Sequence, residues 1–286
     1  MPKLRSAALA VKSNDPYSSG LGRDITDWLT ARGVQVSLPG PENDPAPAGT
    51  DLALSVGGDG SMISAARRLA GRNIPLIGVN TGRVGFLPEL EPNNWREGLA
   101  LALDKRWSLE KRLAVAFVIH RAGQDPFSGL AVNELVITRS GLSRLPAYEL
   151  AAYEPAAGAS KFITLRADGL IAASPTGSTA YSGSAGGPLL HPSVKAYAVT
   201  AICPFQTRMP PLVLGARTPL EITLRESSGE CYAVADGQEF FPLREGDRLT
   251  LRGQEDAIIL ARLGIYGYFD KLRSTFMADS PGMPRP

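Results

Sequence analysis

Histidine and cysteine are nearly missing from this chain of 286 residues, with two of each: His120 and His191, Cys203 and Cys231. Two cysteines can build neither a multi-bridge disulfide framework nor a four-cysteine zinc site, so a reducing cytoplasm is the expected compartment. Excess charge of one sign is missing too. Thirty Lys and Arg against 28 Asp and Glu leave a net charge of +2, which gives no electrostatic reason to expect nucleic acid or an anionic membrane as partner. No apolar run approaches the roughly 18–20 residues that cross a bilayer. The apolar run after Lys3 and Arg5 is too short for a secretory signal, and MPKLRSAALAV is expected as a buried first strand. Two nucleotide signatures are absent: there is no G-x-x-x-x-G-K-[ST], and no G-x-G-x-x-G follows a strand. Fixed-period repeats and low-complexity segments are also absent. What remains is an ordinary globular composition, 44% hydrophobic and 20% charged, long enough for one large or two medium domains.

The first hundred residues alternate strand and helix. Strands are expected at 4–11, 34–38, 51–56 and 74–79. Helices are expected at 16–32, with Asp15 as N-cap and Gly33 past its end, and at 62–69, ended by Gly71. The segment 39–49 is too rich in Pro and Gly to be anything but a loop. Buried, weakly alternating strands between helices predict a parallel sheet covered on both faces. From about residue 105 the pattern changes to short β-like runs, among them LAVNELVITR (130–139), GLIAAS (169–174), CYAVADG (231–237) and AIILARL (257–263). The expected architecture is therefore an α/β domain at 1–104 and a mainly antiparallel β domain at 105–265. A tail at 266–286 is expected to return to the first domain, with 280–286 frayed.

The sharpest local feature is Gly57-Gly58-Asp59-Gly60-Ser61, where a buried strand gives way to a helix. Ligands of open α/β sheets bind beyond the carboxyl ends of strands. Glycines allow close backbone approach, and the opening N–H groups of a helix receive phosphate oxygens. A carboxylate would repel phosphate there, so Asp59 makes sense as a metal partner or as a base for an attacking hydroxyl. The plain alternative is a βα turn with Asp59 as N-cap. NTGRVGFL (80–87), whose Asn80 and Thr81 offer polar groups, follows the next strand and so lies at the same sheet edge. In the β domain, Asn133-Glu134 interrupts an apolar strand. A vicinal amide and carboxylate suit a ribose diol, although a satisfied polar pair at a sheet edge would read the same. DGLIAASPTGSTAYSGSAGGPLLHP (168–192) is too long for a hairpin loop and too mixed with apolar residues for a linker, and it fits a flat ligand against backbone. Asp236-Gly237-Gln238 carries a hairpin signal, with a polar contact open to Gln238.

In this order, together with ICP-x(6)-PLVL (202–214), these motifs resemble the NAD kinases over about residues 5–270. GGDG alone is shared with lipid kinases and phosphofructokinases; the 168–192 segment is far more specific. The resemblance implies a two-domain enzyme with its active site between the domains. It would transfer a phosphoryl group from ATP or polyphosphate to the 2′-hydroxyl of the adenosine ribose of NAD, giving NADP. It further implies a divalent metal, usually magnesium, with no metal ligands assigned, and a homodimer or homotetramer. By motif, Asp59 would be the catalytic proton acceptor and Gly60 would contact substrate through its backbone, with Gly57, Gly58 and Asn80 also among the substrate- and nucleotide-binding residues. Asn133 and Glu134 would hold the ribose. Arg144, Arg166 and Asp168 would line the dinucleotide site, partly across a subunit interface, with both arginines aligned by spacing alone. Thr179, Ala180, Tyr181, Ser182, Gly183 and Ser184 would pack along the dinucleotide, and Gln238 would close the pocket. Ser61 stands where Thr is frequent, and Phe205 where His is often found. A lipid kinase sharing GGDG, and a catalytically silent NAD(P)-binding regulator, remain as alternatives.

Overall fold

The computed structural model describes residues 3–12, 14–38, 46–82, 85–141, 144–154, 158–206 and 209–276. Most of the 39–49 loop, Arg83 and Val84 of the second motif, and the 280–286 end lie outside the described residues. The chain forms two compact units, one from residues 1–110 and 259–286, the other from 111–258.

The first unit begins with β1 (Ser6–Val11), α1 (Pro16–Thr30), β2 (Gln35–Ser37), β3 (Leu52–Gly57), α2 (Asp59–Leu69), β4 (Leu76–Asn80) and α3 (Trp95–Leu103). Asp15 caps α1 by accepting the Ser18 N–H, Pro16 opens the helix, and Gly33 follows with φ 79°. These are the expected start and stop signals. β1 pairs in parallel with β2 and β3, and β3 with β4. Gly57 sits opposite Asn80, so the loops after β3 and β4 leave the same sheet edge. Leu9, Ile25, Leu29, Leu54, Val79, Trp95 and Leu99 form the core. α2 starts at Asp59, three residues before its apolar pattern, because Gly58 is the N-cap and accepts the Met62 N–H through its carbonyl.

The second unit is β-rich: β5 (Ser108–His120), β6 (Phe127–Ala131), β7 (Glu134–Arg139), β8 (Ala147–Glu154), β9 (Gly158–Arg166) and β10 (Gly169–Ala173). A 3-10 turn (Gly177–Thr179) and a single helical turn, α4 (Tyr181–Ser184), follow. Then come β11 (Ala196–Ile202), β12 (Leu212–Gly215), β13 (Leu220–Glu226), β14 (Cys231–Ala235), β15 (Glu239–Leu243) and β16 (Arg248–Arg262). One sheet is antiparallel throughout, in the order β12-β11-β10-β7-β14-β15. The other pairs β16-β13-β8-β9, also antiparallel, with β5 and β6 attached. Phe117, Tyr148, Leu150, Tyr197, Leu220 and Leu251 are drawn into one core from strands of both sheets. LAVNELVITR is not one strand: its first part belongs to β6 and its second to β7, in different sheets.

The last residues of β16 rejoin the first unit, where Leu260 pairs in parallel with Leu76 of β4. A final helix, α5 (Tyr268–Phe276), occupies part of what the sequence offers only as a tail. An α/β unit with a parallel sheet, joined in one chain to a mainly antiparallel β unit, is the expected fold class.

Candidate active site

In the first unit the two glycine-bearing motifs meet. The Thr81 N–H donates to the Gly57 carbonyl at 3.2 Å, and the Thr81 hydroxyl lies 2.7 Å from that of Ser18 in α1. Asp59, first residue of α2, accepts the N–H of Phe86 and of Leu87 at 2.9 Å each, one on each carboxylate oxygen. A Cβ on Gly85 would stand 2.9 Å from the Asp59 carboxyl carbon, so glycine there lets the loop close on the acid. A carboxylate offers about four lone-pair directions; those two amides are the donors it meets among the described residues. Gly58 faces open space, with nothing within 4 Å of a Cβ built there. Asn80 is turned inward: its Oδ1 accepts the Gly82 N–H at 3.2 Å and shapes the loop.

In the second unit, Asn133 and Glu134 stand at the start of β7, and Ala173, paired with Glu134, ends β10. The chain turns sharply here because Asp236 accepts the N–H of Val132 (3.0 Å), Asn133 (2.7 Å) and Glu134 (3.3 Å). Those amides cannot continue the β6 ladder, which is why the apolar run breaks. The Asp236 N–H in turn donates to the Glu134 carbonyl at 3.0 Å. Oδ1 of Asn133 and Oε2 of Glu134 are buried with no hydrogen-bond partner among the described residues. Burial first, and the Asp236 charge second, push the Glu134 carboxyl up to about 7.

The 174–190 segment is folded against this corner. Ser174 donates its N–H to the Asn133 carbonyl (2.8 Å) and its hydroxyl to that of Val132 (2.6 Å). A Cβ on Gly177 would lie 2.7 Å from the Asn133 Cα. Ser178 donates to the Pro175 carbonyl and accepts the Leu190 N–H, pinning the far end of the segment. Ser182 is fully buried, whereas Tyr181 is exposed. Buried Arg112 donates to the Thr176 hydroxyl at 3.1 Å. Gln238 donates its N–H to the Ala235 carbonyl, closing a turn in which Asp236 and Gly237 both have positive φ (54° and 65°). Asn133, Glu134, residues 179–184 and Gln238 thus share one end of the six-stranded sheet.

Arg144, Arg166 and Asp168 do not. Gly169, beside Asp168, pairs with Thr138 at the other end of β7, about 13 Å from Glu134 at roughly 3.3 Å per residue. There Arg139 binds the Asp168 carboxylate (Nε 2.8 Å, Nη2 2.7 Å), Arg166 pairs with Glu226, and the Arg144 N–H donates to Ser228. Sequence reasoning missed Asp236 as a shaping residue, and Arg139 and Arg112 altogether. Only the polar character of Asp236 beside an apolar strand could have signalled any of them. Among the described residues no three His, Cys, Asp or Glu converge to hold a metal ion.

The fold and the two motif clusters are those of a phosphotransferase whose α/β and β domains both match one family. Residues 43–106 match the ATP-NAD kinase N-terminal domain and residues 132–262 the ATP-NAD kinase C-terminal domain. A NAD kinase of Nitratidesulfovibrio vulgaris is 41% identical over 96% of this chain and 92% of its own. One from Oleidesulfovibrio alaskensis is 37% identical over 99% and 97%. The structure of an Archaeoglobus fulgidus NAD kinase in complex with ATP superposes with a TM-score of 0.72 at 27% identity, covering 94% of this chain and 99% of that one. Yeast NADH kinase complexed with NADH shares the fold, with a TM-score of 0.80 at 21% identity over 99% and 90%. The chain belongs to the NAD kinase family, and the lipid-kinase alternative falls.

Proposed function

We propose that this protein transfers the terminal phosphoryl group of ATP to the 2′-hydroxyl of the adenosine ribose of NAD, yielding NADP and ADP. The observation that carries the assignment of the acceptor site is the pair of buried, unpartnered oxygens on Asn133 and Glu134. A buried acceptor without a donor costs about 1–3 kcal/mol, and a ribose diol supplies two O–H donors to such a corner. The small-residue segment 179–184 beside it, with exposed Tyr181, offers a surface for the rest of the dinucleotide, and Gln238 its rim.

In the first unit, Gly58, with nothing within 4 Å of a Cβ built on it, leaves room for phosphate oxygens to reach the start of α2. Asp59 orients the 2′-hydroxyl and takes its proton as the new O–P bond forms and the bond between the terminal phosphorus and the bridging oxygen of ATP breaks. Transfer through a loose transition state demands positioning more than strong basicity. Magnesium would enter on the donor phosphates, since one or two carboxylates with phosphate oxygens commonly suffice for it. The division of labour is thus phosphoryl chemistry in the α/β domain and dinucleotide recognition in the β domain. A cytoplasmic homodimer or homotetramer completes the reading. In that assembly Arg144, Arg166 and Asp168, which lie away from the ribose corner, would face a neighbouring copy's dinucleotide.

The test is NADP formation from NAD, ATP and Mg²⁺ by the purified protein. Asp59→Asn is expected to lower the rate at least about a hundredfold while NAD binding, followed by calorimetry, persists. Binding without product in the unaltered protein would favour the silent regulator instead.

A further inference from the structure

Resting on the reading of Asp59 as proton acceptor, we propose that Lys271 of α5 is a positioning residue for phosphoryl transfer, acting through the 86–88 segment that orients the Asp59 carboxylate. Lys271 is 7% exposed, and its Nζ donates to the carbonyls of Phe86 (2.9 Å) and Pro88 (2.6 Å). Arg262, at the end of β16, donates to the carbonyl between them, that of Leu87, at 3.1 Å. Three successive carbonyls are therefore held by cations from the chain's last described stretch. The N–H groups of Phe86 and Leu87 are those that donate to Asp59. One short segment is gripped on its carbonyls by the C-terminal stretch and on its amides by the acid.

Glu89 fixes the approach to α5. Its carboxylate, 2% exposed, accepts the N–H of Leu263 (2.9 Å), Gly264 (3.0 Å) and Ile265 (3.0 Å). Burying an ammonium is costly unless it is well hydrogen-bonded. An apolar side chain would anchor a helix here at lower cost, but only a multiple donor can tie two carbonyls of the segment after Gly85 into one geometry. Displacement of a reacting group by about 1 Å can cost on the order of a hundredfold in rate, so the rigidity of this loop bears on turnover directly.

Lys271→Met keeps the stem and removes the donors. The expected result is a kcat lower by about 10- to 100-fold, with KM for NAD and for ATP within about threefold. Amide hydrogen exchange of a peptide spanning 85–90 in the unliganded protein should accelerate while that of β1 stays unchanged. Exposed Arg273→Ala, on the same helix, should keep kcat. A Lys271→Met protein with wild-type kcat and only a lower melting temperature would reduce Lys271 to an anchor and overturn the proposal. So would a rise in KM alone, or unchanged exchange at 85–90. If Lys271→Met does not yield folded protein, Lys271→Gln takes its place, and the same kinetic and exchange results support or overturn the proposal. Wild-type NADP formation by Asp59→Asn would remove the underlying reading. Wild-type kcat in Lys271→Met beside an inactive Asp59→Asn would remove this inference alone.

Discussion

Gly57 and Gly58 are adjacent, yet they are glycine for different reasons. A Cβ on Gly57 would lie 2.7 Å from that of Ser61, so the fold forbids it. Gly58 has φ −91° and nothing within 4 Å of a Cβ, so the folded chain tolerates a side chain there and only an approaching ligand would not. Gly58→Val should therefore melt within a few degrees of wild type, a change of about 1 kcal/mol or less, and yet lose NADP formation. Melting curves and the rate assay together check this. At Glu134 the carboxyl is raised to about 7 above an ordinary value near 4.3. The folded state then holds a proton that the unfolded chain releases, so this group's contribution to stability falls as pH rises from about 4.3 toward 7. Ribose hydroxyls bond more strongly to the ionised acid. KM for NAD should accordingly fall as pH is raised through about 7, and Glu134→Gln should flatten that profile in steady-state kinetics.

Among the elements, the break between β6 and β7 shows what local pattern reading reveals and what it hides. The Asp236-Gly237 pair signals a turn, and the turn is present with both residues at positive φ. Nothing local to residue 236 announces that its carboxylate seizes three amides about a hundred positions earlier in the chain. LAVNELVITR therefore reads as one strand until tertiary contacts split it. Asp236→Ala would strand those amides, and a loss of about 2–4 kcal/mol is expected for charge-assisted bonds of this kind. KM for NAD should rise at least about tenfold as Asn133 and Glu134 lose their placement, measured beside urea unfolding. Similarly, 174–187 reads as a small-residue ligand surface, but its single-turn helix and the Ser178 clasp to Leu190 are products of packing.

For the whole molecule, the α/β-then-β order is legible because the central parallel strands β3 and β4 are nearly continuous apolar runs, broken only by Ser55 and Asn80, with every residue buried. The site motifs are legible because glycine, serine and isolated acids stand out against such runs. The return of the chain's tail to the first unit is expected from the sequence; what composition does not reveal is that the last residues of β16 already belong to that unit, since Leu260 pairs with Leu76 only in three dimensions. Nor does it place Arg144, Arg166 and Asp168 at the far end of the sheet from Glu134, a separation set by strand register.

The clasp on Glu89 has a bearing on how the chain is made. Its amide partner Leu263 is synthesised 174 residues later, roughly 10–35 seconds at the usual pace of translation. Throughout that interval the nascent first unit lacks both the clasp and the strand that pairs with β4, and it presents a bare sheet margin of the sort that invites mispairing. Chains cut short before residue 259 are therefore expected to be captured by chaperones and cleared faster than the full chain, which pulse-chase labelling would measure.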